Sequence, residues 1–300
     1  MELRQLRYFV AVVEEGGFTR AAERLHLAQP GLSAQIRQLE RELGQPLLDR
    51  SGRSVRPTQA GAAVLPYARA ALAAVDGVRQ TVEEYTGLLR GRVAVGLVPG
   101  TLAHAFDMAG QLADFHDAHP GVEVTLTEDT SDRMLAALRR GELDLAVVGV
   151  AGKAPPAGVE LHMVIDEPLV AAAVPGHPLF AECDGADAVA PAALRGHRLI
   201  GLPHGTGMRG VLERLCAEAG FRPHVAFEAA TPDGLARLAA RGLGVALLPG
   251  LDARPGLDTV SVAAADARCR VALAWPAEGT MAPAARELLR RLRVGTGGGG

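Results

Sequence analysis

The chain has 300 residues, 48% hydrophobic and 22% charged, enough to bury a full core and to form two or three domains. No apolar run reaches membrane-spanning length, and MELRQLRYFVAVVEEGG carries acids where a signal peptide would be apolar, so the expected location is the cytoplasm. Net charge is -3, yet residues 1–58 hold nine arginines and seven acids, a net of +2 that leaves -5 for the remainder, the sign a nucleic-acid-binding head needs.

Leu3, Leu6, Phe9, Val10 and Val13 mark an amphipathic helix ended by Gly16-Gly17. From Phe18 to Gly44 the chain reads as two helices joined by a tight turn. Thr19 is the expected N-cap of a short helix from Arg20 to Leu25, and His26-Leu27-Ala28 is the turn. A second helix begins at Pro30, where a missing N-H costs nothing, and ends at Gly44. Its expected buried stripe is Leu32, Ile36, Leu39 and Leu43, which leaves Pro30, Ala34, Arg37 and Arg41 outside with Ser33 on the flank. Such a face suits the major groove: small residues permit close approach, and Gln29, Ser33 and Arg37 can donate to bases or phosphates. An ordinary helical hairpin in a globular core is the plain alternative. Gln45 to Arg50 and Arg53 to Pro57 then read as two strands around Ser51-Gly52, a small basic hairpin with Gly52-Arg53 at its tip. Three helices and a hairpin make a winged helix-turn-helix.

Thr58 caps a long helical segment reaching about Arg90, roughly 45 Å at 1.5 Å per residue. Along it Ala68, Ala71, Val75, Val78, Val82, Tyr85 and Leu89 alternate spacings of three and four, the seam of a coiled coil, and a second copy of the same helix is the simplest partner. Pro66 should kink this helix or delay its start.

From Arg92 the pattern becomes strands alternating with helices: strands Arg92 to Val98, Val122 to Thr127 and Asp144 to Val150, with helices Thr101 to Ala118 and Ser131 to Arg140. After a Pro/Gly-rich break at 152–158 come strands Leu169 to Val174, Arg198 to Leu202, His224 to Glu228 and Val245 to Leu248, with helices Arg209 to Ala219 and Pro232 to Arg241. Arg270 to Trp275 is a last strand and Pro283 to Arg293 a closing helix, both returning to the first half-domain; Gly295 to Gly300 is a flexible tail. The alternation implies parallel sheets with helices on both faces. Cys183, Cys216 and Cys269, odd in number and widely spaced, fit free buried thiols better than disulfides or a zinc site.

The segment MELRQLRYFVAVVEEGGFTRAAERLHLAQPGLSAQIRQLERELGQPLLDRSGRSVRPTQAG resembles the DNA-binding head of LysR-type transcriptional regulators, and RGELDLAVVG and ARGLGVALLPG support the likeness to Val294. The resemblance implies an α/β protein overall: an all-α winged helix-turn-helix over 1–58, a dimerising linker helix over 59–90, and an effector domain over 91–294. Its two lobes, about 91–161 with 268–294 and about 162–267, are similar to periplasmic binding proteins. It also implies homodimers that pair into homotetramers, an operator with imperfect inverted repeats, RNA polymerase as a further partner, and a small anionic effector with no fixed cofactor or metal. Carried over, Thr19, Gln29, Pro30, Ser33, Ala34, Arg37 and Arg53 fall where the family meets DNA. Ala34 departs from the arginine or other polar residue often found there and can meet only a thymine methyl, which leaves base preference at that step open.

The effector pocket implied for such folds lies at strand ends followed by helix N-termini, whose unpaired N-H groups suit anions. The matching turns hold Gly100 and Thr101, Thr130 and Ser131, Pro203, His204, Gly205 and Thr206, and Thr231. Gly205-Thr206-Gly207-Met208-Arg209-Gly210 also fits the GxGxxG dinucleotide fingerprint, with Glu228 near the place of a ribose-binding acid, so an NAD-dependent enzyme is the rival reading. Against it, Pro203-His204 separates the motif from its strand, and no catalytic constellation accompanies it. A solute-binding protein is a second rival, opposed by the head and by the missing signal peptide. Asp114, His116, Asp117 and His119 point to different faces of their helix and do not make a metal site.

Overall fold

A computed structural model describes residues 1–52, 54–84, 89–101, 107–152, 154–181, 187–250 and 256–295, with backbone alone for 79–84. Arg53, Tyr85, the Val82 side chain, Cys183 and the tail beyond Gly295 lie outside the described residues.

Three helices build the head: α1 (Leu3–Glu15), α2 (Phe18–Arg24) and α3 (Gln29–Leu43). Phe9, Val12, Ala21, Leu32, Ile36 and Leu39 are fully buried where their apolar stripes meet. Thr19 is not a cap. Gly17, extended, holds that position, so that Phe18 can open α2 and pack on the core while Thr19 lies exposed within the helix. Leu43 is 39% exposed, outside the buried stripe, and Leu47 (1%) fills the core after the chain turns at Gly44. The wing is shorter than expected, β1 (Leu48–Asp49) paired antiparallel with β2 (Arg56–Pro57). A side chain does part of the holding: the Glu40 carboxylate accepts from the Leu47 and Leu48 N-H groups at 2.9 and 3.1 Å and pairs with Arg50 at 2.7 Å.

Thr58 caps α4 (Gln59–Glu84), accepting from the Gly61 N-H at 3.0 Å. The helix begins without delay and continues through Pro66. Ala68 (2% exposed) and Leu65 (7%) belong to the head core, with Ala71 packed against it, so the first part of the expected seam is taken up inside the subunit. Val75 is half-buried and Val78 is 66% exposed. Leu89 stands beyond the helix and packs on the core of the following domain.

There β3 (Gly91–Leu97) runs parallel to β4 (Val122–Glu128) and β5 (Leu145–Gly149), giving the order β4-β3-β5. Helices α5 (Met108–Ala118) and α6 (Ser131–Arg139) connect them. Asp107 caps α5, its carboxylate accepting from the Gly110 N-H at 3.0 Å; Thr101 is itself helical, and residues 102–106 lie outside the described ones.

The strand expected from Leu169 is β6 (Val159–Ala173), fifteen residues long, and Asp166-Glu167-Pro168 hid its first half by interrupting the apolar pattern. That half pairs with β12 (Arg268–Pro276), itself antiparallel to β5. The second half pairs with β10 (Val245–Pro249) and β11 (Asp258–Val262), the latter not expected and itself parallel to the short β7 (Ala188–Val189), and β10 continues in parallel to β8 (Leu199–Gly201) and β9 (Val225–Glu228). Helices α7 (Gly207–Glu218), α8 (Pro232–Ala240) and α9 (Pro283–Gly295) complete two lobes, which share one sheet through β6 and β12.

Candidate nucleic-acid interface and inter-lobe cleft

The outer face of α3 presents Gln29, Pro30, Ala34, Arg37 and Arg41 to solvent, with Ser33 half-buried beside them. The two arginines of α2 are occupied: Arg20 donates to the Glu15 carbonyl at 2.8 Å, and Arg24 pairs with Glu14 at 2.9 Å. Arg37 and Arg41 form no ion pair among the described residues. Both guanidinium groups therefore stand exposed on this face, without an ion pair among the described residues. They border a groove of about 640 Å³ lined also by Ala34, Glu40 and Gly44 to Pro46. His26, at φ 54°, makes the left-handed turn that sets α3 against α2.

Between the lobes lies a cleft of about 200 Å³. Its walls are apolar at Val98, Ile165, Leu202, Met208 and Val271, and its polar groups include Thr101, Ser131, Thr206 and Glu167. Thr101 and Ser131 are each 3% exposed. The Ser131 Oγ accepts from the Gly149 N-H at 3.0 Å and keeps its O-H to offer. Thr101 donates to the Val98 carbonyl at 2.6 Å and Thr206 to the Pro203 carbonyl at 2.8 Å, so both retain lone pairs. The lobes also touch directly: the Asp132 N-H at the start of α6 donates to the Gly205 carbonyl of the other lobe at 3.0 Å.

Of the turn residues expected to meet an effector, Gly100, Thr101, Ser131 and Thr206 border this cleft, and Thr130, Pro203, His204, Gly205 and Thr231 are not among the lining. Thr231 caps α8, accepting from the Gly234 N-H at 3.1 Å. The His204 ring, 71% exposed, sits 2.9 Å from Arg209 Nη2 and 3.0 Å from Glu213 Oε1. With Nε2 accepting from the guanidinium, Nδ1-H donates to the carboxylate. Arg209, 6% exposed, also holds Glu228 at 2.8 Å and the Leu202 carbonyl at 3.0 Å. From sequence, Glu167, Arg209, Cys269 and Arg270 carried no expected role in the site. The second of two arginines opening the apolar run RCRVALAW was the available signal for Arg270, which is 2% exposed.

The glycine fingerprint has a packing explanation. A Cβ on Gly207 would collide with the backbone of Gly149 and Val150, and one on Gly210 would come 3.1 Å from Ala151, so α7 needs these glycines to approach the first lobe. Glu228 is engaged by Arg209 and is not held out toward a ribose. Among the described residues no group of three His, Cys, Asp or Glu could hold a metal, and His119 faces Glu287 (3.8 Å) and Arg291 (3.3 Å). No described helix is long and apolar enough to cross a membrane.

A helix-turn-helix head with an open second helix, joined by a long helix to a two-lobed binding domain, defines a DNA-binding transcriptional regulator modulated by a small molecule. Residues 3–62 match the family described as bacterial regulatory helix-turn-helix protein, lysR family, and residues 86–295 match the LysR substrate binding domain. The chain belongs to the LysR family of transcriptional regulators and is not an enzyme. Over 260 residues it is 34% identical to the DNA-binding transcriptional dual regulator OxyR of Escherichia coli (strain K12), covering 85% of this chain and 81% of the relative. It is 32% identical over 252 residues to the RuBisCO operon transcriptional regulator of Allochromatium vinosum, covering 83% and 79%. Among solved structures, a full-length OxyR variant from Pseudomonas aeruginosa superposes with a TM-score of 0.72 at 26% identity, covering 99% of this chain and 94% of that one.

Proposed function

We propose that the outer face of α3 reads an operator made of imperfect inverted repeats, with Gln29, Pro30, Ser33, Ala34 and Arg37 in the major groove, Thr19 against the backbone and Arg53 on the wing. The carrying observation is that Leu32, Ile36 and Leu39 are fully buried while the opposite side of the same helix stays open. The division into a head over 1–58, a linker over 59–90 and lobes meeting within β6 and β12 fits this reading. Val75, Val78, Val82 and Tyr85 form the seam between two linker helices, and dimers pair into tetramers. The protein works in the cytoplasm, where it would also meet RNA polymerase.

The effector is a small anion held in the inter-lobe cleft by the Ser131 O-H and the N-termini of α6 and α7, with Thr101 and Thr206 donating once their hydroxyls turn from the Val98 and Pro203 carbonyls. A relative 34% identical is described as hydrogen peroxide-inducible genes activator, and a peroxide response of that kind would need a reactive thiol. The described thiols do not favour one: burial pushes Cys216 up to about 11 and Cys269 up to about 12, leaving little thiolate at neutral pH.

Selection from random-sequence duplex DNA by the full-length protein tests the first part. Recovery of a sequence with related half-sites on one DNA face supports it. Uniform recovery with no preference would refute operator reading.

A further inference from the structure

Arg69 lies on α4 with its side chain only 12% exposed, between two carboxylates from different domains. Its Nη1 is 2.5 Å from Glu142 Oε1, in the turn after α6, and its Nη2 is 3.4 Å from Glu14 Oε1, near the end of α1. Glu14 also pairs with Arg24 of α2 at 2.9 Å, and Glu142 with Arg140 at 2.7 Å. Opposite charges thus alternate from the first helix of the helix-turn-helix, through the linker, to the first lobe. The turn is shaped to reach the linker: Gly141 takes φ 63°, and a Cβ built on it would lie 3.8 Å from the Arg69 Cβ. Burial alone would push the Glu142 carboxyl up, yet the hydrogen bond from Arg140 and the charge of Arg69 bring it below the usual carboxylate range.

The same helix has its other end at the cleft. α6 begins at Ser131, which borders the cavity, and its Asp132 N-H is bonded to Gly205 of the second lobe. Nine residues of helix make a strut about 13 Å long from there to the Arg140-Gly141-Glu142 turn.

We propose that Arg69 is a positioning residue for the DNA-binding head, a shared guanidinium that fixes the head's angle to the first lobe through Glu14 and Glu142, with α6 linking it to the cleft. The latch stands on the contacts themselves, and only the link to the cleft rests on the effector reading above. Arg69 is not assigned a contact with DNA.

The test needs no effector. The full-length protein selects a duplex from random-sequence DNA, and a second duplex carries two extra base pairs between the half-sites. Fluorescence anisotropy then measures the preference for native over altered spacing in wild type, Arg69→Gln, Glu142→Gln, the double variant and Arg69→Lys. Each single Gln variant should lower that preference about fivefold, the double no further, and the lysine variant should recover part of it. Three results would overturn the proposal: an unchanged preference in Arg69→Gln, single effects that add in the double variant, or equal losses on both duplexes, which would mean a damaged head. A wild-type chain that selects no duplex would overturn both this proposal and operator reading.

Discussion

Replacing Arg37 by alanine isolates the electrostatic part of DNA binding, because this guanidinium is exposed and has no ion pair among the described residues to lose. The head should keep its melting temperature to within about 2 °C, as expected for a surface substitution away from caps and core. On DNA the change removes one cation per head and two per dimer. Each phosphate neutralised adds about 0.9 to the slope of log affinity against log salt, so the slope should fall by about 1.8. Between 50 and 200 mM salt that difference amounts to about a tenfold change in the ratio of wild-type to variant affinity, with the larger defect at low salt. Anisotropy titrations of the selected duplex at four salt concentrations measure both lines. Parallel lines would refute a phosphate contact by Arg37 from its place in the major groove, even if the variant bound more weakly throughout.

Val78→Asp places a charge at an exposed position of the linker, outside the Leu65 and Ala68 contacts that hold α4 to the head, and should weaken self-association at least tenfold without unfolding the head; light scattering that still finds a dimer at low micromolar protein would eliminate the seam. Glu287 is held by hydrogen bonds from Arg290 at 2.7 Å and Arg291 at 2.8 Å, which lower its carboxyl to about 2. A depressed carboxyl stabilises the fold above its unfolded value and loses that contribution as pH falls toward 2. Glu287→Gln should thus cost about 1 kcal/mol at pH 7 and almost nothing near pH 2; denaturant titrations with equal differences at both pH values would contradict this. Native protein at pH 7 should react with a thiol reagent at Cys216 and Cys269 only slowly, and fully after denaturation; rapid native labelling of either residue would reopen a redox reading.

Local chemistry wrote much of this protein into its sequence. Pro30, Gly44 and the spacing of Leu32, Ile36 and Leu39 specify a helix with one buried and one open face, because propensity, capping and periodicity all act within a few turns. The alternation of apolar strands with helices specified the β3-β4-β5 sheet in the same way. Tertiary contact decided what these signals left free. Thr19 lost its expected cap to Gly17 because Phe18 packs on the core, and Ala68 left the expected seam because it packs into the head core of its own subunit. β6 is fifteen residues long because β12 pairs with its first half, which Asp166-Glu167-Pro168 sets apart from the apolar run that follows. The glycines at 207 and 210 look like a phosphate loop in one dimension, yet the neighbouring backbone they accommodate, Gly149 to Ala151, is more than fifty residues away along the chain. Spacing records how often a residue type recurs; which surface each recurrence meets is set only when distant segments exclude water together.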